Sequence, residues 1–226
     1  DANPNLQIVA NYAVGYNNID SKYAKEKKIP VTNTPGVLTT AVAEHAMALL
    51  LSVARRVPES DTFVRKGKYK GWAPMLLLGG QLQGKTLGIV GAGRIGSAVA
   101  EKAMKGFGMK IIYFNRSRNK HIEKDTKAKR KKKLKDLLKE ADFVSVHVPL
   151  VKETRHLIGA SQLRAMKKTA YLINTSRGPV IDEKALVSAL KSKSIAGTAL
   201  DVFENEPKLS KGLSKLSNVV LTPHTA

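Results

Sequence analysis

The segment GIVGAGRIG, residues 88–96, constrains the fold more than any other part of the sequence. Gly91, Gly93 and Gly96 follow the G-x-G-x-x-G spacing between an apolar strand pattern and a helical pattern. The first glycine permits a tight turn, the second lets a pyrophosphate approach the backbone, and the third lets the helix pack close to the strand. The helix N-terminus also offers free N–H groups to phosphates. The segment predicts a dinucleotide site, with Arg94 and Ile95 as further contacts.

Strand and helix patterns alternate along most of the 226 residues. Before residue 86 they predict strands at 7–14 and 29–36, a short helix at 18–28, and a helix at 39–57 with Thr40 as its N-cap. Further strands are predicted at 86–90, 109–115, 142–148, 170–174, 195–201 and 218–222, alternating with helices at 91–108, 134–141, 161–168 and 182–192. This order predicts an α/β protein with a Rossmann-like, doubly wound parallel sheet. The Gly-rich segment 65–82 is predicted to be a connector.

The composition sets broad limits on the class of protein. No apolar run reaches the ~20 residues that a membrane helix needs, so no membrane partner is expected. The chain has no cysteine, which favours a cytoplasmic protein.

The net charge of +21 is concentrated partly in the basic run 127–135. We interpret this run as a solvated surface. The alternative is a nucleic-acid patch with salt-dependent binding, which is disfavoured because no aromatic residues interleave with the lysines to stack bases.

The end of the second strand after the glycine turn bears on the choice of cofactor. Sites for NAD usually have an acidic residue there, which binds the ribose 2′-hydroxyl. This chain has Asn115, Arg116 and Ser117 instead. Guanidinium and hydroxyl groups can bind a 2′-phosphate by charge-assisted hydrogen bonds. The sequence therefore favours NADP over NAD, and the alternative is a basic surface loop without that role.

Three later strands end in polar side chains suited to carbonyl chemistry. Arg177 follows the strand of LINTSRGPV, Glu206 lies in ALDVFENEP, and His224 ends NVVLTPH. Reduction of a carbonyl requires a cation for an anionic substrate and an acid to protonate the oxygen. Histidine suits proton donation near neutral pH, although one at a strand end can be purely structural. Ligands of open α/β sheets bind at the carboxyl ends of strands, so these residues are expected to meet.

These segments, together with NYAVGYNNID at residues 11–20, resemble the D-isomer-specific 2-hydroxyacid dehydrogenases. Within that family the chain is most similar to the glyoxylate/hydroxypyruvate reductases. The resemblance implies that Arg177 binds the substrate carboxylate and keto oxygen. It also implies that His224 donates the proton and that Glu206 hydrogen-bonds to His224.

The resemblance assigns further residues to ligands and implies no metal. Val14 and Gly15 would offer backbone N–H groups to the substrate carboxylate. The implied cofactor contacts are Val148, Pro149, Thr175, Ser176 and Asp201, with Asp201 on the nicotinamide carboxamide.

The resemblance also implies a domain organisation. Residues 1–34 would be the remnant of a flavodoxin-like substrate-binding domain, and residues 35–226 the dinucleotide-binding domain. Family members have more chain on both sides, so these residues alone are expected to bind cofactor but to turn over slowly. A homodimer is expected, with Trp72 and its connector either at the interface or in ordinary packing.

Two questions stay open at this stage. A non-catalytic dinucleotide sensor, similar to the corepressors that share this fold, is the alternative to an NADPH-dependent 2-oxo acid reductase.

The basic run also occupies a place where the family has a short buried strand. Burying Arg130 and Lys131 unpaired would cost several kcal/mol. Either that edge of the sheet is solvent-exposed or frayed, or these residues are not the natural ones.

Overall fold

The computed structural model describes residues 3–226. Near the N-terminus a short parallel pair forms from β1 (Val9–Ala10) and β2 (Val31–Thr32), with helix α1 (Ser21–Glu26) between them. Both strands are much shorter than the predicted segments. The order strand–helix–strand is as predicted, but the assignment of this part of the chain to a second domain, with a boundary at residue 34, stays a prediction.

The main sheet has seven strands, all parallel, in the order β5-β4-β3-β6-β7-β8-β9. They are β3 (Thr86–Val90), β4 (Lys110–Phe114), β5 (Lys129–Arg130), β6 (Phe143–Val146), β7 (Tyr171–Asn174), β8 (Gly197–Leu200) and β9 (Val219–Leu221). The chain proceeds outward from β3 in one direction and then from β6 in the other. The carboxyl ends of β3 and β6 thus flank the point where strand order reverses, which is where such folds bind ligands.

Helices cover both faces of the sheet, as the predicted doubly wound fold requires. They are α2 (Thr39–Ala54), α3 (Val57–Arg65), α4 (Arg94–Phe107), α5 (Lys120–Thr126), α6 (Leu134–Glu140), α7 (Ala160–Ala165) and α8 (Glu183–Lys191). One apolar core joins α2 and α4 to the sheet, and a second joins α6, α7 and α8 to its other face. Central strands are buried on both faces, which explains their continuous apolar runs. The Rossmann-like prediction is confirmed.

The predicted helix 39–57 begins at the correct residue, Thr39, but its predicted N-cap and its predicted end are wrong. Thr40 is not its N-cap, because the turn at Gly36 already places Thr39 in the helix, and no side chain caps it. The chain also breaks at Arg56, whose φ is +56°. Pro58 has no N–H to continue the helix. Gly80 N donates instead to the free Ala54 O at 2.8 Å, so α3 starts as a separate helix.

The residues just before the basic run, and the run itself, form structure that the sequence did not predict. Asn119 caps α5 by accepting hydrogen bonds from the backbone of His121 and Ile122, and Ile122 is buried. The run then forms the edge strand β5, where Lys129 and Arg130 are exposed. Lys131 pairs with Glu140. Lys129 and Arg130 therefore lie at an exposed edge, and the half-buried Lys131 is paired, so the cost of burying these side chains unpaired does not arise.

Within residues 3–226, no helix is long and apolar enough to cross a membrane.

Candidate active site

The glycine turn after β3 has the shape that its spacing predicts. Gly91 has a φ of +97°, and a Cβ added there would lie 2.6 Å from the backbone oxygen of His147. A Cβ on Gly96 would lie 2.2 Å from the Gly91 oxygen, which fixes α4 close to the strand. By contrast, a Cβ on Gly93 would meet no heavy atom within 4 Å. The turn is thus tightly packed at Gly91 and Gly96 and open at Gly93, as a binding site for pyrophosphate must be.

The segment after β4 lies beside this turn. Asn115 Nδ2 donates to Ser117 O at 3.1 Å, and the side chains of Arg116 and Ser117 are exposed. Asn119 Nδ2 donates to Ala92 O at 2.8 Å and so ties the segment to the glycine turn. The acid that follows, Glu123, accepts hydrogen bonds from Arg118 and from the Tyr113 hydroxyl. Both carboxylate oxygens of Glu123 are therefore engaged within the protein.

A cavity of about 530 Å³ opens at the carboxyl ends of β6 and β7. It brings together predicted residues of three kinds. The predicted cofactor contacts that line it are Ile95, Val148, Pro149, Thr175 and Ser176. The predicted substrate contacts are Val14, Gly15 and Arg177, and His224 is the proposed acid. The turn glycines Gly91, Gly93 and Gly96, the 115–117 segment and the exposed Arg94 are not among its lining residues.

Thr175 carries an unusual polar atom in the wall of this cavity. The residue is 8% exposed, and its Oγ1 has no hydrogen-bond partner among the described residues. Buried polar atoms left unpaired are costly and rare in folded proteins. Together with the open front of Gly93, this orphan atom fits a bound polar cofactor lying along β7 and the glycine turn. The residues present therefore fit a nicotinamide dinucleotide.

Hydrogen bonds and close packing against two glycines hold Arg177 in the cavity. Its Nε donates to Asn17 Oδ1 at 2.8 Å, and its Nη1 donates to Ser176 O at 2.7 Å. A Cβ on Gly15 would lie 1.8 Å from its Nη2. At Gly178 a Cβ would lie 1.8 Å from the Phe203 oxygen, so the turn after Arg177 rests against the loop after β8. Burial lowers the pKa of Arg177, and the nearby Glu206 carboxylate opposes that shift.

His224 and Glu206 meet as the sequence predicts. His224 Nδ1 lies 2.9 Å from Glu206 Oε2, and the other oxygen of Glu206 accepts from Phe203 N at 2.9 Å. The backbone N–H of His224 donates to Asp201 O at 2.8 Å. With Nδ1 occupied by the carboxylate, Nε2 is the ring nitrogen left for a substrate. Orientation of a catalytic imidazole through its other nitrogen is a common arrangement.

The backbone at Val14 and Gly15 is oriented by two asparagines. Asn33 Nδ2 donates to Val14 O at 2.9 Å, and Asn11 Nδ2 donates to Gly15 O at 2.8 Å. Within the described part of the chain, the N–H groups of Val14 and Gly15 make no hydrogen bond. They line the cavity beside Arg177 and are available to a carboxylate.

Asp201 has a different environment from the other predicted residues. Its carboxylate is fully buried and accepts from the Thr222 hydroxyl at 2.6 Å, Thr225 N at 3.0 Å and Ala226 N at 2.9 Å. His45 Nε2 lies 3.3 Å away, a contact that was not predicted from the sequence. Asp201 thus braces the segment around His224, and its contact with nicotinamide stays a prediction.

Two acids near Glu206 form a pair that sequence analysis missed. Glu183 is 2% exposed. Its carboxylate accepts from Glu204 N at 2.6 Å and from Ser210 N at 3.2 Å. Glu204 in turn accepts from Glu183 N at 3.3 Å and pairs with His156 Nε2 at 2.6 Å. These bonds anchor both ends of the loop that carries Glu206.

His147, at the end of β6, is a further cavity residue that was not predicted. The half-buried ring lies 2.8 Å from Ser145 Oγ through Nε2. Loss of hydration lowers its pKa to about 4. His147 is therefore neutral at physiological pH, which keeps an additional positive charge out of the cavity wall.

Comparison with known proteins is consistent with this site. Residues 47–226 match the model of the D-isomer specific 2-hydroxyacid dehydrogenase NAD binding domain. The chain is 57% identical to a glyoxylate reductase of Thermococcus litoralis over 98% of its own length and 67% of that protein. It is also 57% identical to one of Korarchaeum cryptofilum, covering 100% of the chain and 68% of the relative. The chain thus spans about two thirds of these proteins.

A solved structure extends the comparison to the fold. It is the NADPH-dependent glyoxylate/hydroxypyruvate reductase of Sinorhizobium meliloti, in complex with NADP and malonate. The two proteins are 39% identical, with a TM-score of 0.90, over 99% of this chain and 68% of the other. The family model and the near full-length identities agree with the resemblance found in the motifs. The chain belongs to the D-isomer specific 2-hydroxyacid dehydrogenases, which bind a nicotinamide dinucleotide through this domain.

Proposed function

We propose that the protein reduces a small 2-oxo acid, glyoxylate or hydroxypyruvate, to the 2-hydroxy acid. The observation that carries this proposal is the shared cavity. Arg177, His224 and the free N–H groups of Val14 and Gly15 line the same space as the cofactor-side residues. The relatives named above are reductases of such acids, which favours this function over the corepressor-like sensor.

In this proposal, different residues of the chain bind the substrate, donate the proton and orient the cofactor. Arg177 and the two N–H groups bind the substrate carboxylate and fix the direction of its carbonyl. His224 donates a proton from Nε2 to the carbonyl oxygen, while Glu206 holds the ring through Nδ1 and stabilises the charged imidazole. The unpaired Thr175 hydroxyl and the Val148–Pro149 turn orient the cofactor. A bound reduced nicotinamide supplies the hydride.

The preferred cofactor in this proposal is NADPH. The segment Asn115–Arg116–Ser117 presents a guanidinium and a hydroxyl where an acid would repel a 2′-phosphate. Glu123, an acid of the following helix, is paired with Arg118. The Sinorhizobium meliloti relative is NADPH-dependent, which is in line with this preference.

A homodimer belongs to the same proposal. The connector after α3 exposes several large apolar side chains, most of all Trp72 at 83% and Met75 at 76%. Exposed apolar patches of this kind mark interaction surfaces. Replacing Trp72 by serine should shift the protein toward monomer in sedimentation velocity, whereas Leu209→Ser, at a separate exposed position, should not. The cytoplasmic location stays a prediction.

The test of function follows NADPH oxidation at increasing glyoxylate concentration for the protein and for Arg177→Met. Loss of the charged anchor should raise the KM for glyoxylate about 10- to 100-fold, since hydrogen bonds to charged groups contribute about 1.5–3 kcal/mol. The KM for NADPH should stay near its original value. Arg164→Met, which removes an exposed arginine from α7, is the matched control. An unchanged KM for glyoxylate in Arg177→Met would overturn the assignment.

A further inference from the structure

The basic edge of the sheet adjoins the segment that would meet a 2′-phosphate. Strand β5 pairs with β4 in the register Ile112 to Lys129 and Tyr113 to Arg130. Lys131 N continues this pairing by donating to Tyr113 O at 2.8 Å. The backbone of β5 is thus anchored one strand away from the 115–117 segment, and alternate side chains along it point to opposite faces.

Arg130 reaches from this anchored strand to the cofactor segment. Its Nη2 donates to Arg116 O at 2.8 Å and to Asn115 O at 3.1 Å. No other hydrogen bond to either carbonyl is found among residues 3–226. One guanidinium therefore bridges two successive peptide units at the point where the chain leaves β4.

The other contacts near the segment are made by the residues that follow it, Arg118 and Asn119. Asn119 binds the glycine turn, and Arg118 is paired with Glu123 at 2.7 Å. Without Arg130, the backbone between Phe114 and Ser117 would keep only the Asn115 side-chain bond to Ser117 O. Arg116 and Ser117 could then adopt several arrangements, and ordering them on binding would weaken affinity.

We propose that Arg130 is a positioning residue for NADPH selectivity. It fixes the backbone of Asn115 and Arg116 so that the Arg116 guanidinium and Ser117 hydroxyl are arranged for a 2′-phosphate, and its charge favours the same dianion. The effect is confined to ligands that carry the phosphate, because NADH makes no use of these groups. This inference rests on the proposed preference for NADPH.

Arginine differs from lysine at such a position. Both hydrogen bonds come from one nitrogen, Nη2, whose N–H groups are held in the plane of the guanidinium, whereas an ammonium is a compact charge on a flexible stem. Arg130→Lys therefore separates positioning from charge. Lys129→Met provides the matched charge control, because Lys129 is the neighbouring exposed residue of β5 and makes none of the described hydrogen bonds to the segment.

The experiment measures dissociation constants of NADPH, NADH, adenosine 2′,5′-bisphosphate and 5′-AMP by calorimetry, without any substrate. Arg130→Met should weaken NADPH and the bisphosphate about tenfold, and NADH and 5′-AMP less than twofold. Arg130→Lys should recover only a minor part of this loss. Lys129→Met should change every constant less than twofold. Thermal unfolding of each variant confirms that the exposed substitutions leave the fold intact.

Three outcomes would overturn the inference. Equal weakening of NADPH in Arg130→Met and Lys129→Met would mean that only the total charge matters. Equal weakening of NADPH and NADH in Arg130→Met would mean a general structural effect. Full recovery in Arg130→Lys would exclude the bridging role. If the unmodified protein bound NADPH no better than NADH, the proposed cofactor preference itself would fail, a result distinct from these three.

Discussion

The loops at the two functional ends of the sheet are fixed in opposite ways. Around β8 and β9, the loops that carry Glu206 and His224 are fixed by the buried carboxylates of Glu183 and Asp201. After β4, the cofactor segment is fixed by the exposed Arg130. Buried charged groups are costly to disturb, whereas exposed contacts contribute little to stability. Substitutions at the first end should therefore affect stability and turnover, and those at the second should affect selectivity alone.

The largest effect is expected for His224. His224→Gln should lower kcat about 100- to 10,000-fold, because general acid catalysis contributes about that much. The KM for the oxo acid should change little, since Arg177 and the backbone amides remain. Steady-state kinetics at saturating NADPH measures both constants. His121→Gln, an exposed histidine on α5, is the control. Near-normal turnover in His224→Gln would remove His224 from the mechanism.

Glu183 tests the claim that buried acids brace the catalytic end. Glu183→Ala leaves Glu204 N and Ser210 N without their acceptor. The free energy of unfolding should fall by about 1–3 kcal/mol, the cost of leaving these half-buried donors without an acceptor. Turnover should fall as well, because the loop of Glu206 loosens. Denaturant unfolding provides the measurement.

The matched control for Glu183 is Glu153→Ala, an exposed acid in a short helical turn after β6. It should change the unfolding free energy by less than about 0.5 kcal/mol. If the two variants were equally stable, the loop would not depend on Glu183, and the contrast between the two ends would be lost.

Gly15 tests the packing that places Arg177. A methyl group at this position would lie 1.8 Å from Nη2 and 2.8 Å from Cζ, so the guanidinium must move. Gly15→Ala should therefore raise the KM for the oxo acid about tenfold, with a small change in stability because the neighbouring atoms end a flexible side chain. The control is Gly80→Ala, where a Cβ meets no atom within 4 Å. An unaltered KM would show that the guanidinium is not fixed by this contact.

His147, near the strand-order reversal, gives the smallest expected effect, and it depends on pH. Its pKa is about 4 in the folded protein, below the ordinary value of about 6.5 in an unfolded chain. The neutral ring thus stabilises the fold fully above pH 6.5, and this contribution is lost as the pH falls toward 4. Between pH 7 and 5 the loss should be about 1 kcal/mol, allowing for partial solvent screening.

Unfolding curves of His147→Gln at both pH values check this estimate. The substitution should remove that part of the pH dependence, and His121→Gln should leave it in place. A pH dependence identical to that of the unmodified protein would show that His147 titrates normally.

The sequence predicted the sheet and the main catalytic candidates because their signals are local. The glycine spacing lies within six residues, and Arg177, Glu206 and His224 each follow a recognisable strand segment within a few residues. Glu183, Asn119 and Arg130 were missed because their roles depend on contacts made after folding. Glu183 bonds to residues 21 and 27 positions away, and Arg130 to residues 14 and 15 positions away. A lysine-rich run gives no sign that one of its members bridges two carbonyls.

The most direct test of the account is a crystal structure with NADP and oxalate, a stable analogue of a small 2-oxo acid. We predict that one oxalate carboxylate lies against Arg177 and the N–H groups of Val14 and Gly15, with an oxygen of the other within hydrogen-bonding distance of His224 Nε2. We also predict that the Thr175 hydroxyl gains a partner on the cofactor. Oxalate bound away from Arg177, or a nicotinamide outside the cavity, would contradict the proposed active site.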